Sequence, residues 1–319
     1  MLDLGRLRVL RELKRRGTAG AVAEALGYSP SAVSQQLAQL QREVGVPLVE
    51  RAGRRLRLTE AGEVLAERAG ALLADAERAE EAALAASGQV VGTVRVVGFQ
   101  TALLNVVVPA LPGLAAAYPD LRVDVRDAED DAILDALAAH EIDVVLSDEH
   151  PNLPRPDRPG LASEVLVTEP MRVVLPAGHR LARGPGPVRL ADLAAERWAS
   201  PYASTNHAAQ IERACVELAG YRPDVRHRSN DLRVIFALIA SAGAVGIVPH
   251  LAGAENEPGV VAREIAGAPL HRTMELWRRA GADVRPSVRA VLDAVRAAAD
   301  ALVAARPGLV RGRPPAAGE

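Results

Sequence analysis

Apolar residues recur at helical spacing from the start of the chain: Leu4, Leu7, Leu10 and Leu13 predict a first helix with one apolar side. Ala19 to Leu26 reads as a short second helix, stopped by Gly27. Ser29 then offers an N-cap, and Pro30 occupies a first-turn position where its missing N–H costs nothing. A third helix is therefore expected after a tight turn, which makes a helix-turn-helix.

The third helix, within YSPSAVSQQLAQLQREVG, places Val33, Leu37, Leu40 and Val44 in one arc facing inward. Opposite lie Ser31, Ser34, Gln35, Ala38 and Arg42, with Gln36 and Gln39 on the flank. An ordinary solvated face carries Glu, Lys and Arg pairs, whereas this stripe holds no acid. Gln pairs bidentately with adenine, Ser donates or accepts, and Ala meets a thymine methyl, so the face suits base edges. Two short β-prone runs follow in VPLVERAGRRLRL, around a turn at Ala52-Gly53. They predict a wing whose arginines lie against phosphates. The expected DNA-facing set is Ser29, Ser31, Ser34, Gln35, Gln36, Gln39 and Arg42, with Arg51, Arg54 and Arg55 from the wing.

After Thr59 the pattern is helical again. Leu58, Gly62, Leu65, Ala69, Leu72, Ala76, Ala79 and Ala83 follow a heptad seam of small residues. Packing on the chain's own body is the plain alternative; the seam's length favours pairing with a second copy. Such a dimer sets two reading helices about 34 Å apart on DNA, or a multiple of that.

From Gly92 onward strands and helices interleave, which predicts two small α/β units with mostly parallel pairing. Strands are expected at TVRVVGF, LRVDVRD, IDVVLSD, MRVVLP, WAS, PDVRHRS and GAVGIVP, with a return strand near Thr273 to Arg278. Helices are expected at about Ala102 to Tyr118, Asp131 to Ala139, LADLAAE, His207 to Ala219 and Asp231 to Ala242. The body's polar groups gather where strands end and helices begin. Gln100 and Thr101 open a helix whose free N–H groups suit a carboxylate. Ser147 and Asp148 end a strand, Tyr202, Ser204, Thr205 and Asn206 lead into a helix, and Asn230 and Asp231 begin another. Each can also be an ordinary cap, the more economical reading for Asn230 and Asp231. If Thr101 holds an acid group and Asp148 or Asp231 a positive one, the ligand would be a zwitterion such as an amino acid.

The order of helix, helix, SPSAVSQQLAQLQREVGVPLVER, RLRLTEAG and a long Ala-rich helix resembles the LysR-type transcriptional regulators, over essentially the whole chain. Members of that family commonly carry Gln-Pro or Gln-Ser where Pro30-Ser31 stands, Arg at Gln35, Phe at Val49 and Gly at His140. The resemblance implies a multidomain fold. An N-terminal winged helix-turn-helix (1–58) and a long linker and dimerisation helix (59–88) would precede an α/β, two-lobed, periplasmic-binding-protein-like effector domain (89–305). Lobe I would span about 89–166 and 268–305 and lobe II about 167–267, with crossings near Val165 to Met171 and Val261 to Ala268. The implied partners are promoter DNA, a small-molecule effector (an amino acid or carboxylate) and further copies of the chain, as homodimer or homotetramer. The effector set is Gln100, Thr101, Ser147, Asp148, Tyr202, Ser204, Thr205, Asn206 and Asn230.

Composition adds limits. The first 60 residues carry 11 Lys and Arg against 6 Asp and Glu; the rest carry 27 against 34, an asymmetry suited to one end meeting a polyanion. No signal layout or unbroken apolar run of 18 residues is seen, so the expected place is the cytoplasm. One cysteine, Cys215, rules out an internal disulfide and any Cys-rich metal site. The tail PGLVRGRPPAAGE reads as disordered. A transport binding protein would explain the body but not the head; an enzyme is the main rival class, and SDEH (Ser147 to His150) is its best segment. Consecutive ligands close poorly round one metal, and no HExxH, CxxC or GxSxG pattern supports it. No catalytic residue, metal or cofactor is expected.

Overall fold

A computed structural model describes residues 2–52, 55–128, 132–149, 158–184, 186–267 and 270–313. Contacts divide the chain into two compact units, Met1–Gly88 and Gln89–Glu319.

In the first unit, α1 (Leu4–Arg16), α2 (Ala19–Leu26) and α3 (Pro30–Val44) are each opened by a side-chain cap, from Asp3, Thr18 and Ser29. Between α2 and α3, Gly27 turns the chain at φ 67°, a value that costs glycine little. Strands β1 (Val49–Ala52) and β2 (Arg55–Leu58) form an antiparallel wing. Leu7, Leu10, Leu13, Val22, Val33, Leu37, Leu40 and Leu48 make the core. Two residues of the predicted apolar faces lie outside it: Leu4 is 45% and Val44 37% exposed. They are the first and last residues of their helices and extend past the packed length.

Helix α4 (Glu60–Ser87) begins at Thr59, whose hydroxyl accepts the Gly62 N–H and donates to the Pro47 carbonyl. A Cβ on Gly62 would stand 2.0 Å from the Leu48 carbonyl oxygen, so this crossing of helix and wing requires glycine. The seam splits into two uses. Of its residues, Gly62 and Ala69 are buried as α4 packs on α1, together with Ala66 and Leu73 from outside the seam, while Leu72, Ala79 and Ala83 are exposed.

The second unit has two lobes. In lobe I, β3 (Gly92–Gly98) pairs in parallel with β4 (Leu121–Asp127) and with β5 (Val144–Glu149). The helical run after β3 is α5 (Gln100–Ala102), a π-helical turn (Leu103–Val107) and α6 (Val108–Ala117). Among the described residues this run alone is long and apolar enough to cross a membrane. Here its Val106, Val107, Ala110 and Leu114 are buried in the lobe's core. Helix α7 (Ala132–Ala138) leads into β5 through His140, the one non-glycine at positive φ (62°) among the described residues.

Strand β6 (Leu161–Pro176) crosses between the lobes. Its first ten residues pair with β11 (His271–Arg279) in lobe I, and its last six with β9 (Gly246–Pro249) and β10 (Val260–Arg263) in lobe II. The return crossing runs from β10 to β11. Lobe II also holds β7 (Arg197–Ser200), α8 (Asn206–Ala219), β8 (Asp224–Arg228) and α9 (Leu232–Ala242). Alternation along β6 feeds both faces of this lobe: Met171, Val173 and Leu175 join one core, Val174 the other. Helix α10 (Pro286–Ala305) closes lobe I with Val288, Val291, Leu292 and Val295.

Several expectations are corrected. Pairing is mixed rather than mostly parallel, because the long crossing strands β6 and β11 run antiparallel to every strand they meet. LADLAAE forms only a 3-10 turn at Leu190–Leu193. The described part of the tail is ordered: β12 (Val310–Arg311) pairs with Thr168 and Val167 of β6, and Leu309 is buried, while the rest of the expected tail, 314–319, lies outside the described residues. The Thr168 hydroxyl donates to the Gly312 carbonyl at 2.7 Å, and Arg313 reaches Glu149 at 2.8 Å. Pro and Gly content alone had suggested disorder, but strand pairing needs only a few β-prone residues.

Candidate functional site

On α3, hydrogen bonds sort the Ser and Gln stripe. Ser29 is occupied as the cap, accepting Ala32 N–H at 3.2 Å and sharing a hydrogen bond with Ser31. Gln36 accepts from Arg6 Nε at 3.2 Å, and Gln39 donates to Glu43 while accepting from Arg42 at 2.6 Å. Arg6 also pairs with Glu43, so the flank of α3 is tied to α1. The Glu43 carboxyl is held below its ordinary range by the Gln39 hydrogen bond, then by Arg6, against partial desolvation. Gln35 is exposed and makes no side-chain hydrogen bond to any described residue, and Ser34 returns its hydroxyl to the Pro30 carbonyl. Gln35 and Ala38 thus stand clear, Ser31 and Ser34 are exposed but hydrogen-bonded within the first turn, and Gln36 and Gln39 are half-buried.

Sequence reasoning missed Gln41. Its carbonyl oxygen accepts Leu48 N–H at 2.9 Å and Val49 N–H at 3.0 Å, which fixes the wing to the end of α3. Of the wing arginines, Arg54 lies outside the described residues, as do the side chains of Arg51 and Arg55. Arg57 is exposed and pairs with Glu50 at 3.2 Å.

In the second unit a cleft lies between the lobes. Gln100 and Thr101 reach it from lobe I, Ser229 and Asn230 from lobe II, and Leu232, Ile235, Ile247 and Val248 supply apolar wall. The chief group that sequence reasoning missed is Arg272, on β11. It is 4% exposed, stacks over Phe99 at 4.5 Å and donates to Glu169 (2.6 Å) and to the Thr101 hydroxyl (2.6 Å). Glu169, 2% exposed, also accepts Leu251 N–H at 2.7 Å. Thr101 is therefore engaged by an internal cation. A buried charge survives only when so paired, which gives this ion pair its form.

The remaining predicted effector residues do not line the cleft. Ser147 stands opposite Glu275 in the sheet of lobe I, and Asp148 opposite Met274. Thr205 caps α8 through Ala208 N–H, Asn206 is that helix's first residue, and Tyr202 and Ser204 are exposed beside it. Asp231 caps α9 through Arg233 N–H, the economical reading. Asn230 joins both roles: it lines the cleft, and its Oδ1 accepts Tyr202 N–H at 3.0 Å. No cluster of metal-ligating side chains occurs among the described residues.

A winged helix-turn-helix with an acid-free polar stripe on its third helix, joined to a two-lobed α/β body with a cleft between the lobes, defines a ligand-responsive DNA-binding regulator. Residues 4–63 match the bacterial regulatory helix-turn-helix proteins of the lysR family, and residues 87–300 the LysR substrate binding domain; the chain belongs to the LysR family of transcriptional regulators. It is 30% identical over 245 residues to the HTH-type transcriptional regulator ShiR of Corynebacterium glutamicum, covering 74% of this chain and 79% of that one. A probable hydrogen peroxide-inducible genes activator of Mycobacterium xenopi is 32% identical over 179 residues, 56% of this chain and 92% of that one. A full-length OxyR variant from Pseudomonas aeruginosa shares the fold, with TM-score 0.70, 21% identity, and 98% and 99% of the two chains covered.

Proposed function

We propose that this regulator reads promoter DNA with Ser31, Ser34 and Gln35 of α3 and grips phosphates with wing arginines. It works in the cytoplasm as a homodimer or larger homo-oligomer, paired through the exposed Leu72, Ala79 and Ala83 of α4. A small molecule held between the lobes at Gln100, Thr101 and Asn230 changes its arrangement on DNA, which requires unequal affinity for two arrangements. The observation that carries the DNA assignment is Gln35: exposed on α3 and without a side-chain bond to the described chain, while its neighbours Gln36 and Gln39 are tied down. The test is a salt-dependent titration against an operator selected from random duplexes. Gln35→Ala should cut discrimination over random DNA by about 1 to 3 kcal/mol. Arg57→Ala should weaken all duplexes alike and flatten the salt slope by about 0.9. The opposite pattern would reverse the assignment of reading helix and wing.

The name of the Mycobacterium xenopi relative raises a second reading, a response to peroxide, for which a thiol would be the reactive group. Cys215 argues against it: the chain's one cysteine is fully buried, and that burial pushes its thiol up to about 11. Peroxide chemistry needs an accessible thiolate.

A further inference from the structure

The cleft is unbalanced in its hydrogen-bonding groups. Arg272 spends Nε and Nη2 on Glu169 and Thr101, and its Nη1 donates to no described residue, yet is not among the buried unpaired atoms. Since Arg272 lines the cleft, that open nitrogen offers its donors there. Asn230 gives its Oδ1 to Tyr202 N–H, which leaves its Nδ2, also a donor. Against these donors stands one acceptor of the opposite need: Gln100 Oε1 is buried and has no hydrogen-bond partner. An unmet buried acceptor is costly, and a ligand hydroxyl or N–H would satisfy it.

Charge narrows the class. No Asp or Glu lines the cleft among the described residues. The zwitterion expectation needs a carboxylate for the ligand's ammonium. Asp148 is elsewhere, and Asp231 is spent on its helix cap. An ammonium beside Arg272 would meet a like charge with no acid to offset it. A carboxylate instead meets a preformed guanidinium, already oriented by Glu169 and by stacking on Phe99, a strong charge-assisted pairing. The wall of Leu232, Ile235, Ile247 and Val248 asks for an apolar body.

We propose that the cleft takes a small hydroxylated carboxylate with an apolar body, its acid on Arg272 and Asn230 and its hydroxyl on Gln100. This rests on the reading of the cleft as the effector site and names the chemistry that site selects.

The test is calorimetric titration of the full chain with two matched series. One is phenyllactate, phenylpropionate, phenylalanine and phenyllactamide; the other is hydroxyisocaproate, isocaproate, leucine and hydroxyisocaproamide. In at least one series the hydroxy acid should bind about tenfold or more tighter than the amino acid and the amide, and several-fold tighter than the deoxy acid. Gln100→Leu should erase the preference for the hydroxyl and keep that for acid over amide. The pair Arg272→Gln with Glu169→Gln, which leaves no lone buried charge, should erase the preference for acid over amide. An amino acid or amide that binds as tightly as the hydroxy acid overturns the class and leaves the effector site standing. If no compound of either series binds, the class is overturned. If, in addition, a broad metabolite screen leaves both operator affinity and the body's melting unchanged, the effector-site reading falls too. A hydroxyl preference that survives Gln100→Leu overturns the role of Gln100.

Discussion

Glu169→Ala isolates the chemistry of the crossing strands. Glu169 sits on β6 and Arg272 on β11, with 2% and 5% of their side chains exposed, so the substitution strands a guanidinium where water barely reaches. Breaking a buried pair from one side costs about 3 to 5 kcal/mol. The Leu251 N–H loses its acceptor as well, a further cost of about 1 to 3 kcal/mol that overlaps the first, so about 4 to 6 kcal/mol is expected in all. Removing both charges, with Glu169→Met and Arg272→Met together, eliminates two desolvation penalties and should return stability to within about 2 kcal/mol of the parent. Urea unfolding followed by tryptophan fluorescence suits the measurement. The chain's two tryptophans, Trp198 in lobe II and Trp277 in lobe I, both report on the body and leave the head silent. Two separated transitions would show the lobes unfolding independently, each with its own free energy. A cost below about 1 kcal/mol for Glu169→Ala, or a double variant no more stable than the single, would refute the reasoning.

Two further outcomes concern the head. Gly62→Ala forces a methyl into the Leu48 carbonyl and should destabilise the head by about 1 to 3 kcal/mol, read as faster hydrogen exchange across α1 and α4; unchanged exchange would show that the wing can shift freely. Burial alone would raise the Glu12 carboxyl, but hydrogen bonds from Arg16 and Arg15 outweigh it and hold the group below its ordinary value of 4.5. A depressed acid stabilises the fold above its unfolded pKa and loses that contribution as pH falls through the folded one. The head's exchange protection should therefore drop below about pH 4.5, and Glu12→Gln should be less protected at neutral pH with a shallower acid limb; a limb as steep as the parent's would assign the acid sensitivity to other carboxylates.

How much was legible in the sequence depends on whether an interaction is local. The Ser29 cap, the Pro30 start and the inward arc of Val33, Leu37 and Leu40 all follow from residues within a few positions of one another, and the structure shows each of them. His140 was legible through the resemblance instead: it stands where the family commonly carries glycine, and it adopts positive φ. Composition was a poorer guide. The Pro and Gly of the tail masked Leu309 and Val310, whose pairing with β6 depends on an edge that composition does not show.

The site itself is built from distant partners, and this is why half of it stayed hidden. Thr101 opens a helix, but its occupant is Arg272, 171 residues away, whose own counterion Glu169 lies 103 residues off. Gln36 flanks the stripe that holds Gln35, and it is Arg6, 30 residues away, that ties it down. In each case the local rule found where a polar group sits and the long-range bond decided whether it is still available. Availability, more than position, is what a ligand or a base edge selects. Gln100 in the cleft has a buried acceptor with no partner, and Gln35 on α3 makes no side-chain bond to the described residues, so the proposed titrations turn on these two.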